Sequence, residues 1–134
     1  MTSYALDTNI VSYYLKNNQD IINKVDIALA DNNRIIISPI VYFEIKRWLL
    51  SNNASIKLTA FEKLCSYSGV GIIDKDLLEI ATSLYVELKK QGMTIEDADI
   101  LIASDCIKNN LVLVTNNMKH FKAIKGLQVI NWIS

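Results

Sequence analysis

Apolar positions along the chain fall into two alternating textures. Short runs rich in β-branched residues read as strands, at Ser3 to Leu6, Arg34 to Ile37, Val70 to Ile73, Leu111 to Val114 and Gln128 to Ile130. Between them, longer segments repeat apolar residues at spacings of three and four, the helical period. These are Ile10 to Asn32 (two helices), Pro39 to Tyr67 (two more, broken near Asn52 and Asn53), Lys75 to Gln91, and Asp97 to Asn109. The strand runs are continuously apolar rather than alternating, which predicts burial on both faces. The expected fold is therefore α/β, a three-layer sandwich with a central, mostly parallel five-stranded sheet flanked by helices.

Composition narrows this picture without changing it. A chain of 134 residues, 51% hydrophobic and with four Gly and one Pro, predicts a single domain over residues 1–134 with no linker, repeat or low-complexity tract. Fourteen Lys and Arg balance fourteen Asp and Glu. Zero net charge excludes a protein that holds nucleic acid by overall charge, and leaves only a local basic patch for that purpose. Cys65 and Cys106 each sit inside an apolar helical pattern, so both read as buried thiols in a reducing compartment. The N-terminal stretch carries Asp7 where a signal peptide would be apolar, and no apolar run approaches a membrane span. The expected location is the cytoplasm, with no membrane partner.

In open parallel sheets ligands bind beyond the carboxyl ends of the strands. There this chain places Asp7-Thr8-Asn9 after the first strand, Ser38 after the second and Thr115-Asn116-Asn117 after the fourth. Asp7 is equally suited to N-cap the following helix. Ser38 as N-cap and Pro39 at the first helical position fix the phase of the next helix. In that phase Glu44 lies between Ile40 and Val41 one turn before it and Trp48 one turn after, a carboxylate on an apolar face. An ion pair with Arg47, or escape to water at the helix edge, would explain it structurally. Asp97 and Asp99 are two apart on one helix and so point in different directions. Ile102, Ala103 and Cys106 fall within about 60° of Asp99, whereas Asp97 falls about 160° away. Asp99 is thus expected to be buried, and Asp97 to be a surface residue closing a capping box with Thr94.

Three oddly placed carboxylates, Asp7, Glu44 and Asp99, can converge at the strand ends. Clustered carboxylates repel unless a cation sits among them, and all-oxygen ligation suits Mg²⁺ or Mn²⁺. The chemistry this implies is metal-assisted hydrolysis of a phosphodiester, with Asn116 or Asn117 orienting water or phosphate. Those asparagines also suit a turn after a strand. Lys119, His120, Lys122 and Lys125 are candidates for backbone contacts at the rim, or simply a solvated face. With His120 the only histidine, a histidine-pair ribonuclease is excluded; a cap or core-edge role is its bland reading. Trp48-Leu49-Leu50 exceeds what one helix face needs, and is either core or a contact surface.

These residues, in this order, resemble a PIN-domain ribonuclease across essentially the whole chain. The likeness is carried by Leu6-Asp7-Thr8-Asn9, Phe43-Glu44-Ile45, Asp99-Ile100-Leu101-Ile102-Ala103, Val114-Thr115-Asn116-Asn117 through Phe121, and Gly126-Leu127 with Trp132. It is greatest to the VapC toxins of toxin-antitoxin pairs. The resemblance implies a PIN-like fold and a Mg²⁺- or Mn²⁺-dependent endoribonuclease, with Asp7, Glu44 and Asp99 as catalytic and metal-binding triad. It implies that Thr8, Asn9, Thr115, Asn116 and Asn117 orient substrate or water, and that the partners are an RNA substrate, a cognate antitoxin and a second copy of the chain. Many relatives carry a fourth acid where this chain has Asn117, and Ser104 replaces a commoner small apolar residue. Two rival readings are another acidic phosphoryl-transfer enzyme and a silent RNA- or protein-binding module. A phosphatase of the haloacid dehalogenase type would want an aspartate where Asn9 stands.

Overall fold

The computed structural model describes residues 1–133. Its elements are β1 (Ser3–Leu6), α1 (Thr8–Leu15), α2 (Gln19–Ala30), β2 (Arg34–Ile36), α3 (Pro39–Ser51), α4 (Ser55–Tyr67), α5 (Lys75–Lys90), α6 (Asp97–Asn109), β3 (Val112–Val114), α7 (Met118–Phe121) and β4 (Gln128–Ile130). The strands pair in the order β2-β1-β3-β4, all parallel, with Ala5 opposite Ile36 and Leu113, and Val114 opposite Ile130. Parallel pairing requires a crossover between neighbouring strands, and the helices supply it.

Helix ends follow local chemistry. Asp7, Asn18, Ser38 and Asp74 N-cap α1, α2, α3 and α5 through side-chain oxygens that accept backbone N–H bonds. Asn17, Asn32, Asn53 and Asn110 adopt positive φ at turns after helices. Asparagine is the residue after glycine that best tolerates the left-handed region, so a chain with few glycines can still turn sharply. The helices bury one face each: Ile10, Val11 and Leu15 of α1, Ile40, Val41, Ile45 and Leu49 of α3, Ile102, Ala103 and Cys106 of α6. With Leu6, Leu113, Val114, Phe61 and Phe121 they form one core. Burying each large apolar side chain stabilises the fold by roughly 1.5–3 kcal/mol.

The expected fifth strand does not form. Val70 to Ile73 makes only an isolated parallel bridge, Val70 with Ile37, closed by bonds between Ile37 and the backbone of Gly69 and Gly71. Pairing stops because Ser38 turns directly into α3, leaving the edge strand nothing further to offer, and Asp74 already caps α5. Ile72 and Ile73 are consequently 69% and 55% exposed. The short helix α7, by contrast, was not legible as a periodic segment because it has only four residues. Cys106 is buried as expected, whereas Cys65 is only half-buried; both are free thiols. Among the described residues, no helix is long and apolar enough to cross a membrane.

Candidate active site

β1 runs straight into Asp7, and the Asp7 N–H donates to Val114 O of the neighbouring β3 at 2.9 Å. The ends of β1 and β3 are thereby locked side by side. Asp7 is 6% exposed. One carboxylate oxygen, Oδ1, accepts from Thr8 N at 2.8 Å, which is the N-cap bond of α1; the other, Oδ2, accepts from Thr115 Oγ1 at 2.8 Å. Asp7 therefore caps a helix, as one reading expected, and is at the same time a nearly buried carboxylate at the strand end. Burial pushes its carboxyl above the ordinary aspartate range; the Thr115 and Thr8 bonds oppose this, and the charge of Asp99 adds to it.

Glu44 arrives from α3, which packs against both α1 and α6. Its Oε1 accepts from Thr8 Oγ1 at 2.9 Å. The alternative pairing with Arg47 does not occur, since that guanidinium lies over the Phe43 ring at 4.8 Å. Asp99 sits in the first turn of α6 and is half-buried rather than fully buried, because the helix begins at the rim of the crevice. Desolvation raises its carboxyl, opposed by a bond to His120 and reinforced by the charges of Glu96 and Glu44. Asp99 Oδ2 lies 2.8 Å from His120 Nε2. Asp97 points to solvent, as its helical phase required. The expected capping box is not formed: Glu96 occupies the N-cap position without a side-chain bond, leaving Thr94 two residues too early to reach it.

The polar residues around these carboxylates divide into two groups. Thr8 and Thr115 are hydroxyl donors to Glu44 and Asp7, and Thr115 is fully buried with its hydroxyl on the Asp7 carboxylate. Asn9, Asn116 and Asn117 are exposed at the rim. The Asn116 amide reaches toward the Tyr13 hydroxyl at 3.4 Å, and Asn117 contributes its backbone N–H to Thr115 Oγ1 at 3.0 Å. His120 is the residue that sequence reasoning undervalued. Its partner is 21 positions away and its helix is a single turn, so no spacing announced the contact. Lys119, Lys122 and Lys125 are exposed around it.

This corner holds negative charge with little to balance it. Asp7 feels Asp99, and Asp99 feels Glu44, yet among the described residues no lysine or arginine forms an ion pair with any of the three. Nor, among those residues, do three acidic, histidine or cysteine side chains close into a ready-made metal cage. A hard divalent ion does not need one: Mg²⁺ commonly takes one or two carboxylates and completes its octahedron with water and substrate oxygens. An all-oxygen donor set, fixed by threonine hydroxyls and raised by desolvation, fits such an ion. A cavity of about 460 Å³ lies elsewhere, by Arg34 and Leu111 at the opening ends of β2 and β3, and has no part in this cluster.

Comparison with known proteins agrees with this geometry. Residues 4–127 match the PIN domain. The chain is 35% identical over 130 residues to Ribonuclease VapC1 of Haemophilus influenzae, covering 96% of this chain and 97% of that one. It is 36% identical over 132 residues to Ribonuclease VapC2 of Rickettsia felis, covering 96% and 97%. Among solved structures, VapBC2 from Rickettsia felis, bound to a DNA fragment from its promoter, superposes with a TM-score of 0.90 at 31% identity, over 98% of this chain and 100% of that one. A parallel sheet with acidic side chains at its carboxyl edge, matched over nearly the whole length by these relatives, places the chain in the PIN-domain family, among the VapC ribonucleases.

Proposed function

We propose that this ribonuclease cleaves RNA internally at Asp7, Glu44 and Asp99, with Mg²⁺ or Mn²⁺ as its metal, and that it is the toxin partner of a cognate antitoxin. The observation that carries the reading is a nearly buried Asp7 at the end of β1, with no lysine or arginine ion-paired to it among the described residues, that feels the charge of Asp99, which in turn feels Glu44. Burying such charge without compensation is costly, and a site that keeps it has a cation as its natural complement. Nucleases of the PIN-domain VapC family generally depend on a divalent metal.

Asp7, Glu44 and Asp99 would hold the ion, which when bound supplies charge neutralisation at the phosphodiester and acidifies water at neutral pH. The chain's own residues prepare that chemistry. Thr115 and Thr8 each spend a hydroxyl hydrogen on a carboxylate, so the side chains of Asp7 and Glu44 are oriented before substrate arrives. His120 does the same for Asp99. Asn9, Asn116 and Asn117 stand at the rim, where amides can bind phosphate oxygens or steer the attacking water. The chain acts in the cytoplasm as a homodimer, consistent with its free thiols and with large apolar side chains left exposed, such as Phe43 at 60% and Leu50 at 55%.

The test is cleavage of total cellular RNA by the purified protein with Mg²⁺, Mn²⁺ or EDTA, beside Asp99→Asn. Discrete fragments that need metal and vanish in the variant are expected. Fragments that persist in EDTA, or in Asp99→Asn with folding verified, would refute this assignment of the site.

A further inference from the structure

Beside the carboxylates runs a groove of about 380 Å³ between α1, α3 and the start of α4. It meets Thr8 and Glu44, the hydrogen-bonded pair of the acidic cluster, continues to Arg47 and Trp48 one turn further along α3, and is lined as well by Lys16 and Lys57. Thr8, Ser12 and Lys16 lie one turn apart along α1 and its C-cap, so the groove runs about 12 Å along that helix. Trp48 is 50% exposed there, and the Lys57 ammonium stands 5.7 Å from its ring centre. An indole left half in water at a groove wall, in a groove lined by three cations and one carboxylate, is poor core design. It is the composition of a site for single-stranded nucleic acid, where a base stacks on an aromatic ring and cations take the phosphates.

Building on the ribonuclease reading above, we propose that this groove is an RNA subsite adjoining the scissile bond, with Trp48 as the stacking face for a base and Lys16, Arg47 and Lys57 as backbone contacts. The chain has no net charge, so its hold on a polyanion must come from a local concentration of cations, and this groove has one that opens directly onto the carboxylates. RNA matches both the charge and the ring.

The experiment measures binding of a labelled single-stranded RNA of mixed sequence by fluorescence anisotropy in EDTA, at several salt concentrations, alongside KM and kcat for RNA cleavage with Mn²⁺. Trp48→Ala is expected to weaken binding roughly 5- to 150-fold with little change in salt dependence, and Trp48→Phe to recover most of the loss. Arg47→Gln and Lys57→Gln should each lower the slope of log affinity against log salt by about 0.7, the share of one phosphate contact in single strands. All four variants should raise KM more than they lower kcat. Unchanged RNA affinity, salt slope and KM in folded Trp48→Ala and Lys57→Gln, as for a groove that takes a protein segment, would overturn the subsite. So would a wild-type protein that does not bind the RNA. The ribonuclease reading fails separately, by wild-type protein that does not cleave with any metal, and the binding arm still decides the groove.

Discussion

Replacing Thr115 by valine tests how the cluster is built. The Thr115 hydroxyl donates to Asp7 Oδ2 at 2.8 Å and accepts from Asn117 N at 3.0 Å, with Thr115 fully buried and Asp7 nearly so. Valine keeps the shape and removes both bonds. A hydrogen bond to a charged group contributes about 1.5–3 kcal/mol. The Asn117 N–H belongs to an exposed residue and can turn to water, and the added buried methyl returns somewhat less than 1 kcal/mol. The net cost at neutral pH is about 1–2 kcal/mol, or roughly 3–10 °C in Tm for a chain of this length. The effect should depend on pH. Burial holds the Asp7 carboxyl above its ordinary value of 3.8, so its charged form already opposes folding; that penalty is absent below the unfolded value and develops as pH rises through the folded one. Losing the Thr115 bond lifts the folded value further, so the gap between wild type and Thr115→Val opens as pH rises from below 3.8 to 7. Urea unfolding followed by circular dichroism in EDTA across that range measures it, with Thr115→Ser, which keeps the hydroxyl, as the control. Mn²⁺ affinity of Thr115→Val should also fall by about 10- to 100-fold. A stability gap that is absent, or equal at pH 3 and pH 7, would refute the claim that the hydroxyl acts through the charge of Asp7.

Other substitutions probe neighbouring features. Asp105 is 1% exposed, with Oδ1 held by Asn109 at 2.8 Å and Oδ2 making no hydrogen bond of good geometry among the described residues; burial raises its carboxyl, opposed by Asn109 and Ser38, and Asp105→Asn should stabilise the protein by about 1–2 kcal/mol at pH 7, a gain that fades as pH falls toward 3.8, seen in the same unfolding series with cleavage unchanged. His120→Ala frees Asp99 Oδ2 and should weaken Mn²⁺ binding about 10- to 100-fold, with partial recovery in His120→Gln, which retains a donor; equal affinity in all three proteins would remove His120 from the site. Asp97→Asn should cleave like wild type and change stability by less than about 0.5 kcal/mol, against complete loss of cleavage in Asp99→Asn; the reverse pattern would contradict the helical phase.

Local rules were enough for most elements and for choosing Asp7, Glu44 and Asp99 as candidates. Continuous apolar runs announced parallel strands, Ser38-Pro39 announced the start of α3, and the angular separation of Asp97 from Asp99 told an exposed side chain from one at the crevice, because helical periodicity is a property of neighbouring residues alone. The PIN resemblance spanned the chain because its motifs are strand-end and first-turn residues whose spacing survives in sequence. Contacts between distant segments were beyond such rules. Whether Val70 to Ile73 pairs depends on where its neighbour stops: β2 ends at Ile36, the single bridge forms at Ile37, and Ser38 already caps α3. That Thr115 serves Asp7 across 108 positions, Thr8 serves Glu44 across 36, and His120 meets Asp99 across 21 follows from the docking of α3, α6 and α7 around β1 and β3. The residue types for a carboxylate site are thus written along the chain, while the hydroxyl, imidazole and groove that surround it exist only once packing has chosen which side chains face one another, since a hydrogen bond needs an angle and a distance that no one-dimensional spacing supplies.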